Sequence, residues 1–216
     1  MGIVKLAARV ADVSQTPIVL DWLRLAREVQ LSDEGTYSSA YASIRNHFRQ
    51  FRNGISRDEA IVALHIVYAW MPQILRLAKW RQYNFGQVQE QAVLVLLNDV
   101  LRVRTPKRLT AMDMSLLFRF CCNSVPAASK LLHFLNPHVF PIWDSNVAAV
   151  FPLQSVGSDG CKYIGYCCEI DRWSRDTRVR KRCESLRRRH AFLTAASDIR
   201  IIELVLFASA RPRDEE

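Results

Sequence analysis

The sequence predicts an all-α protein. Apolar residues recur at helical spacing along most of the 216 residues, and no segment shows the apolar–polar alternation of a strand. Half of the residues are hydrophobic and only 7 are Gly and 8 are Pro, so the chain can bury a substantial core. We expect about nine or ten helices in a single domain over residues 1–216, arranged as two helical lobes with a cleft between them.

Two helices are predicted before Gly54. Thr16 and Pro17 begin the first as an N-cap and a first-turn proline, and apolar residues continue it to Val29. The second runs from Tyr37 to Asn53, with Gly54 as its C′ residue.

A capping box at Ser56 begins the next helix, which Pro72 ends or kinks because proline lacks the backbone donor. A short helix from Gln73 to Trp80 and a long one from Gln87 to Val103 follow. The residues expected to face inward on the long helix are Val88, Ala92, Val95, Leu96 and Val100.

An unusual arrangement lies within residues 110–151. An apolar helix from about Ala127 to Leu135 stops at Asn136-Pro137, and an extended link from Val139 to Trp143 leads to Asp144. Asp144 is predicted to be the N-cap of the next helix. A carboxylate beside a tryptophan, straight after a rigid proline link, is unusual for packing alone, so Asp144 is a candidate catalytic group.

The net charge of +9 favours a polyanionic partner, most often nucleic acid. Most of this excess falls in a basic C-terminal helical segment at about residues 160–210, whose last helix is predicted from Phe192 to Ala208. Nine cations are candidate DNA-phosphate ligands: Arg172, Arg175, Arg178, Arg180, Lys181, Arg182, Arg187, Arg188 and Arg189. Phosphate contacts would set position and salt dependence rather than base sequence. A solvated helix face is the alternative for such a run.

The six cysteines include two adjacent pairs and no CxxC spacing, which argues against a zinc site or an iron–sulfur loop. We therefore expect reduced thiols and neither metal nor cofactor. No apolar run approaches the roughly 20 residues that span a bilayer, and the first residues lack a signal-peptide core, so a cytoplasmic protein without membrane contact is expected.

The stretch leading to Asp144 resembles the helix-hairpin-helix superfamily of DNA glycosylases, in the branch of the 8-oxoguanine and adenine mismatch enzymes. In that superfamily a helical hairpin, an apolar helix and a Pro-Val-type link precede an Asp that opens the next helix. The corresponding segments here are the turn near Asn123–Ala128, the helix Ala128–Leu135 and the link Phe140–Trp143. The helical plan and basic character extend the likeness loosely over the rest of the chain.

The resemblance implies a DNA glycosylase that hydrolyses the N-glycosidic bond of a damaged or modified base flipped from double-stranded DNA, leaving an abasic site. It assigns Asp144 to stabilising positive charge on the sugar and orienting water. A flipped base needs a pocket with stacking aromatics and hydrogen-bonding groups. The pocket candidates are Trp143, Tyr68, Trp70, Asn146 and His133. The alternatives are a core histidine for His133 and simple helix capping for Asp144.

Two departures from the superfamily qualify this expectation. Its hairpin turn is Gly-rich, whereas here the turn reads Cys122-Asn123-Ser124-Val125-Pro126 without Gly, so DNA would be held by Asn123, Ser124 and free amides at a helix start. Its bifunctional members carry a Schiff-base Lys in the hairpin, at a position matching Val125 or Pro126 here. Lys130 lies further along the helix and is a DNA-binding candidate, so a monofunctional enzyme is expected. We also expect the protein to be a monomer.

Three functional hypotheses remain open. The first is base excision, either of ordinary oxidised or alkylated bases or, in antiviral defence, of a hypermodified base such as a glucosylated cytosine in phage DNA. The second is a non-catalytic helical module that binds DNA or RNA. The third is a toxin-like or regulatory protein that binds RNA or another protein through its Arg-rich segment.

Overall fold

The computed structural model describes residues 18–31, 36–71, 87–151 and 159–210. Within these ranges the protein is all-α, as predicted, with ten α-helices, three short 3-10 helices and no strand. No helix in these ranges is long and apolar enough to cross a membrane. The predicted helix start at Thr16-Pro17, the break at Pro72 and the helix Gln73–Trp80 lie outside the described residues.

The α-helices are numbered here in chain order. The first five are α1 (Ile18–Glu28), α2 (Thr36–Phe48), α3 (Arg57–Trp70), α4 (Gln87–Val100) and α5 (Ala111–Phe120). The second five are α6 (Val125–Leu135), α7 (Ser145–Val150), α8 (Asp159–Ser174), α9 (Thr177–Arg189) and α10 (Asp198–Ser209). The 3-10 helices are Arg49–Asn53, Pro106–Arg108 and Ala191–Leu193.

Several helix boundaries follow from local capping. The predicted capping box at Ser56 is confirmed: its hydroxyl accepts from the backbone of Glu59, whose carboxylate bonds back to the Ser56 amide. Gly54, predicted as a C′ residue, has φ +144°, a conformation that L side chains rarely adopt. It ends the 3-10 helix that continues α2, so the predicted single helix to Asn53 is two helical segments.

Two predictions within the long helices were wrong. In α4, Ala92 and Val95 are exposed, and the buried residues are Val93, Leu96, Leu97 and Val100. Apolar residues occur on most sides of this helix, so helical spacing alone does not select the buried face. The last helix begins at Asp198 rather than Phe192, because Ser197 caps it with a hydrogen bond to the backbone amide of Arg200.

Helices α5 and α6 form a hairpin joined at residues 121–124, and α6 packs against α2, α3, α4 and α5. Helix α10 packs instead against α1, α7, α8 and α9. At one end the two helices are linked by a 2.6 Å hydrogen bond from Ser197 Oγ to the Pro137 carbonyl. Lys130 of α6 and Glu203 of α10 both interact electrostatically with Asp144.

Candidate functional site

Asp144 is the N-cap of α7, as predicted. Its Oδ1 accepts a 2.9 Å hydrogen bond from the Val147 amide, and its backbone is extended, with φ −137°. The residue is half-buried, and its Oδ2 has no hydrogen-bond partner among the described residues. One carboxylate oxygen therefore holds the helix start.

Each of the last four backbone carbonyls of the link before Asp144 accepts a hydrogen bond from a side chain. His133 Nδ1 bonds the Phe140 carbonyl at 2.7 Å, and Tyr163 donates to the Pro141 carbonyl at 2.9 Å. Tyr166 donates to the Ile142 carbonyl at 3.1 Å. Ser129 completes the series, because its hydroxyl proton is shared between Pro126 O and Trp143 O while its oxygen accepts from Trp143 N.

These four side chains, His133, Ser129, Tyr163 and Tyr166, are all at most 1% exposed. Buried polar groups that are fully hydrogen-bonded specify one geometry, because any alternative leaves a donor or acceptor unpaired in a low-dielectric interior. The arrangement fixes the backbone that delivers Asp144, as the supporting shell of a functional group must.

His133 is a core residue rather than a pocket residue. The Phe140 carbonyl can only accept, so Nδ1 carries the proton and Nε2 accepts from Tyr41 Oη at 2.9 Å. Burial lowers the pKa of His133 to about 3, and the charge of Arg200 adds to this. Both ring nitrogens are engaged, so neither is available to a base, and the core-histidine alternative describes its position.

A cluster of charged side chains lies near Asp144. Lys130 Nζ is 5.7 Å from the centre of the Trp70 ring. Burial lowers the pKa of this half-buried lysine, whereas the negative charges of Asp144 and Glu203 raise it. Arg200 and Glu203, one helical turn apart on α10, form an ion pair.

Glu203 is a buried carboxylate, only 1% exposed. The pKa of Glu203 is raised to about 7, chiefly by burial. The positive charge of Arg200 lowers this pKa, and the negative charge of Asp144 raises it. Two basic and two acidic groups thus share this region, and its net charge changes as Glu203 titrates near neutral pH.

The Arg200 guanidinium lies over two aromatic rings. Its Cζ lies 5.1 Å from the centre of Tyr41 and 5.7 Å from the centre of Trp70. Its Nη1 donates to Glu203, while its Nε is buried without a hydrogen-bond partner among the described residues. Such a donor is uncommon in a folded protein and costs free energy unless it gains an acceptor.

The other predicted pocket residues have separate sets of contacts. Trp143 is half-buried, with its ring edge-on to Tyr166 at 4.7 Å between centroids, and Asn146 is half-buried on α7. Tyr68 lies under the hairpin, where its hydroxyl donates to the Cys121 carbonyl at 2.9 Å. Trp70 belongs to the charged cluster, as its contacts with Lys130 and Arg200 show.

The hairpin turn adopts a left-handed backbone without glycine. Cys122 and Asn123 have φ of 54° and 56°, and the Asn123 amide bonds the Phe118 carbonyl at 2.6 Å. Ser124 uses its hydroxyl to cap α6, accepting from the Ala127 amide. Asn123 is exposed, so it is the hairpin side chain most accessible to a phosphate.

The predicted DNA-binding cations divide into two groups. Five are engaged in the protein itself: Arg172 with Glu169, Arg175 with Asp171, Arg178 with Asp176, Arg187 with Asp198, and Arg182 with the Ala26 carbonyl. Four are exposed, and their side chains have no hydrogen bond or ion pair to other described residues: Arg180, Lys181, Arg188 and Arg189. Lys181 and Arg188 lie one above the other on α9, two helical turns apart, facing away from its buried side.

No disulfide links the six cysteines, all of which lie among the described residues. Cys121, Cys167 and Cys183 are buried. No group of three or more His, Cys, Asp and Glu side chains in the described ranges is arranged to hold a metal ion.

Six residues of the site were not predicted from the sequence: Tyr41, Ser129, Tyr163, Tyr166, Arg200 and Glu203. Arg200 and Glu203 left a signal, since they are two charged residues within the otherwise apolar run IRIIELVLF. Charged residues on a buried helix face are paired or functional far more often than accidental. Ser129 and Tyr41 leave no such mark, because their roles depend on distant partners.

Searches against known protein families, curated proteins and solved structures found no match to this chain. The function is therefore argued from the residues and their geometry.

Proposed function

We propose that the protein is a monofunctional DNA glycosylase that acts in the cleft of a two-lobed helix-hairpin-helix fold. The observation that carries this proposal is the support of the backbone before Asp144. Four buried side chains bond the carbonyls of four consecutive residues, and Asp144 is the next residue in the chain. A helix cap alone does not require this support, because capping depends only on local backbone geometry.

The reaction fits the group that is presented. As the bond between C1′ and the base nitrogen breaks, positive charge grows on the sugar, and the Asp144 carboxylate stabilises it. Water adds hydroxide to C1′ and supplies a proton to the departing base. Asp144 Oδ2, which has no hydrogen-bond partner among the described residues, is the oxygen that faces the reacting centre in this scheme.

The surroundings supply the other requirements. Trp143, next to Asp144 in the chain, and Trp70, beside Lys130 and Arg200, are half-buried aromatics suited to stacking on an extruded base. The exposed Asn123 and the exposed cations of α9 are candidate phosphate contacts with double-stranded DNA. Lys130 lies close enough to influence Asp144 electrostatically, but it is on the body of α6 rather than in the hairpin turn.

The test is base release. Duplexes carrying oxidised, alkylated, normal or glucosylated-cytosine bases are incubated with the protein, and alkali then reveals abasic sites as strand breaks. We expect breaks at one class of base for the wild type and a loss of at least about 10²-fold in rate for Asp144→Asn. DNA binding without abasic sites on any duplex would favour the non-catalytic module instead, and preferential RNA binding would favour the third hypothesis.

A further inference from the structure

Arg200 presents a defined hydrogen-bonding edge. A guanidinium carries five N–H donors in one plane, and here Nη1 is occupied by Glu203. The opposite edge consists of Nε–H and one N–H of Nη2, which point in parallel. Neither has a hydrogen-bond partner among the described residues, and Nε is buried.

Three side chains surround the Arg200 guanidinium. The rings of Tyr41 and Trp70 lie within 6 Å of the guanidinium carbon, at 5.1 and 5.7 Å, and Glu203 holds the far side. Tyr41 is itself held by its hydrogen bond to His133. An arginine restrained in this way loses little conformational entropy when it binds, so its fork geometry discriminates strongly.

We propose that Arg200 reads the extruded base and accepts bases that present two adjacent hydrogen-bond acceptors in one plane. This inference rests on the proposed glycosylase function and names the substrate class of that site. Two bases offer such an edge: a cytosine through O2 and N3, and a guanine through O6 and N7. Uracil and thymine do not, because their N3 carries a proton that would meet a donor.

The same contact assists bond cleavage. When the glycosidic bond to a cytosine breaks, the electron pair retained by the base spreads from N1 onto O2 and N3 before water supplies the proton. Arg200 lies against those atoms and stabilises the negative charge, while Asp144 stabilises the positive charge on the sugar. The two residues therefore act on opposite sides of the breaking bond.

Access to the edge requires a side-chain movement. The Arg200 side chain is 11% exposed and its Nε is covered, so neighbouring side chains must move aside as the base enters. Because the Trp70 ring contacts Arg200, its fluorescence should change on binding.

The experiment uses uncleavable duplexes bearing one 2′-fluoroarabino nucleotide opposite an abasic site, so that extrusion costs little for every base. The bases compared are cytosine, 3-deazacytosine, uracil and guanine. Wild-type protein should bind the cytosine or the guanine duplex at least about 10-fold more tightly than the uracil duplex. If cytosine is the preferred base, 3-deazacytosine, which lacks the N3 acceptor, should lose a similar factor.

Arg200→Lys tests the fork, because lysine keeps the charge and loses the paired donors. We expect the preference to fall to within about twofold, while Arg57→Lys, an exposed ion-paired arginine elsewhere, keeps the wild-type preference. If Arg200→Lys does not fold, the 3-deazacytosine comparison with the wild type still decides the matter when cytosine is preferred, and 7-deazaguanine serves in the same way for guanine.

The outcomes separate this inference from the proposed function. Equal binding of all four duplexes by the wild type, or a preference that survives Arg200→Lys, overturns the reading role of Arg200 even if base release is observed. Discrimination that depends on Arg200 without base release from any cleavable duplex overturns the glycosylase and leaves a base-reading binding protein. A guanine preference assigns the guanine edge as the substrate.

Discussion

The hydroxyl of Ser129 contacts both main-chain polar groups of Trp143, accepting from its amide at 3.0 Å and donating toward its carbonyl at 3.1 Å. Trp143 immediately precedes Asp144. Ser129, on α6, thus sets the position of the residue next to the candidate catalytic carboxylate, although Ser129 lies 14 residues before Trp143 in the sequence.

Replacing Ser129 with Ala should harm both stability and base release. The Trp143 amide would be left without its partner, which costs about 1–3 kcal/mol of the free energy of unfolding. Urea unfolding measures that loss, and single-turnover excision measures the rate. Ser115→Ala is the control, because the Ser115 hydroxyl bonds only its own helix at Ala111 on an exposed face. Equal effects of the two changes would show that the Ser129 contact is unimportant.

Asp144 has two roles that substitutions can separate. Asparagine is as good an N-cap as aspartate, so Asp144→Asn should change the free energy of unfolding by less than about 0.5 kcal/mol, whereas Asp144→Ala should cost about 1 kcal/mol. Both should abolish base release. Thermal unfolding and the excision assay give the two readouts. Activity in Asp144→Asn within a few-fold of the wild type would show that capping is the whole function of this residue.

Two buried groups should make stability depend on pH in opposite directions. The pKa of His133 is lowered to about 3 in the folded protein, so between about pH 3 and 6.5 the unfolded state binds more protons and stability rises with pH. The pKa of Glu203 is raised to about 7, so between about pH 4.5 and 7 the folded state binds more protons and stability falls with pH. From about pH 4.5 to 6.5 the two effects oppose one another.

Glu203→Gln should reveal the hidden histidine contribution. The variant lacks the Glu203 carboxyl, which makes the stability of the wild type fall as pH rises. Between about pH 5 and 6.5, the free energy of unfolding of the variant should therefore increase with pH more steeply than that of the wild type, by up to about 1.4 kcal/mol per pH unit. Urea titrations at several pH values measure the two slopes. Parallel profiles for the two proteins would mean that Glu203 does not titrate in this range.

The exposed cations of α9 should dominate the salt dependence of DNA binding. Lys181→Ala with Arg188→Ala should weaken binding to all sequences alike and lower the slope of log K against log salt by about 2, since each lost phosphate contact removes about 0.9. Fluorescence anisotropy from about 50 to 200 mM salt measures this slope. Arg57→Ala, on α3, should leave the slope unchanged. An unchanged slope in the double variant would place the DNA on another face.

Much of the fold could be predicted from local sequence. The all-helical class, the caps at Ser56 and Asp144 and the end of α6 before Pro137 depend on neighbouring residues, and the structure confirms them. The buried face of α4 was not predictable in this way, because its apolar residues surround most of the helix and only the packing partners choose among them.

The site was predictable only in part. Asp144 was found because a proline-containing link and an N-cap leave a local pattern. Arg200 contacts Tyr41 and Trp70, which are far from it in sequence. Tyr163 and Tyr166 act on carbonyls more than twenty residues away, at separations of 22 and 24. Such pairings arise from tertiary packing, so periodicity within one helix carries no information about them.

Helix α1 is tied to the far end of the chain. The Trp22 indole donates to the Ile202 carbonyl at 3.1 Å across a separation of 180 residues, and Arg182 bonds the Ala26 carbonyl. During synthesis on the ribosome, the Trp22 indole therefore has no partner until about 180 further residues have been made. A contact of such long range adds to the loop-closure entropy that folding must overcome and slows the docking of α1.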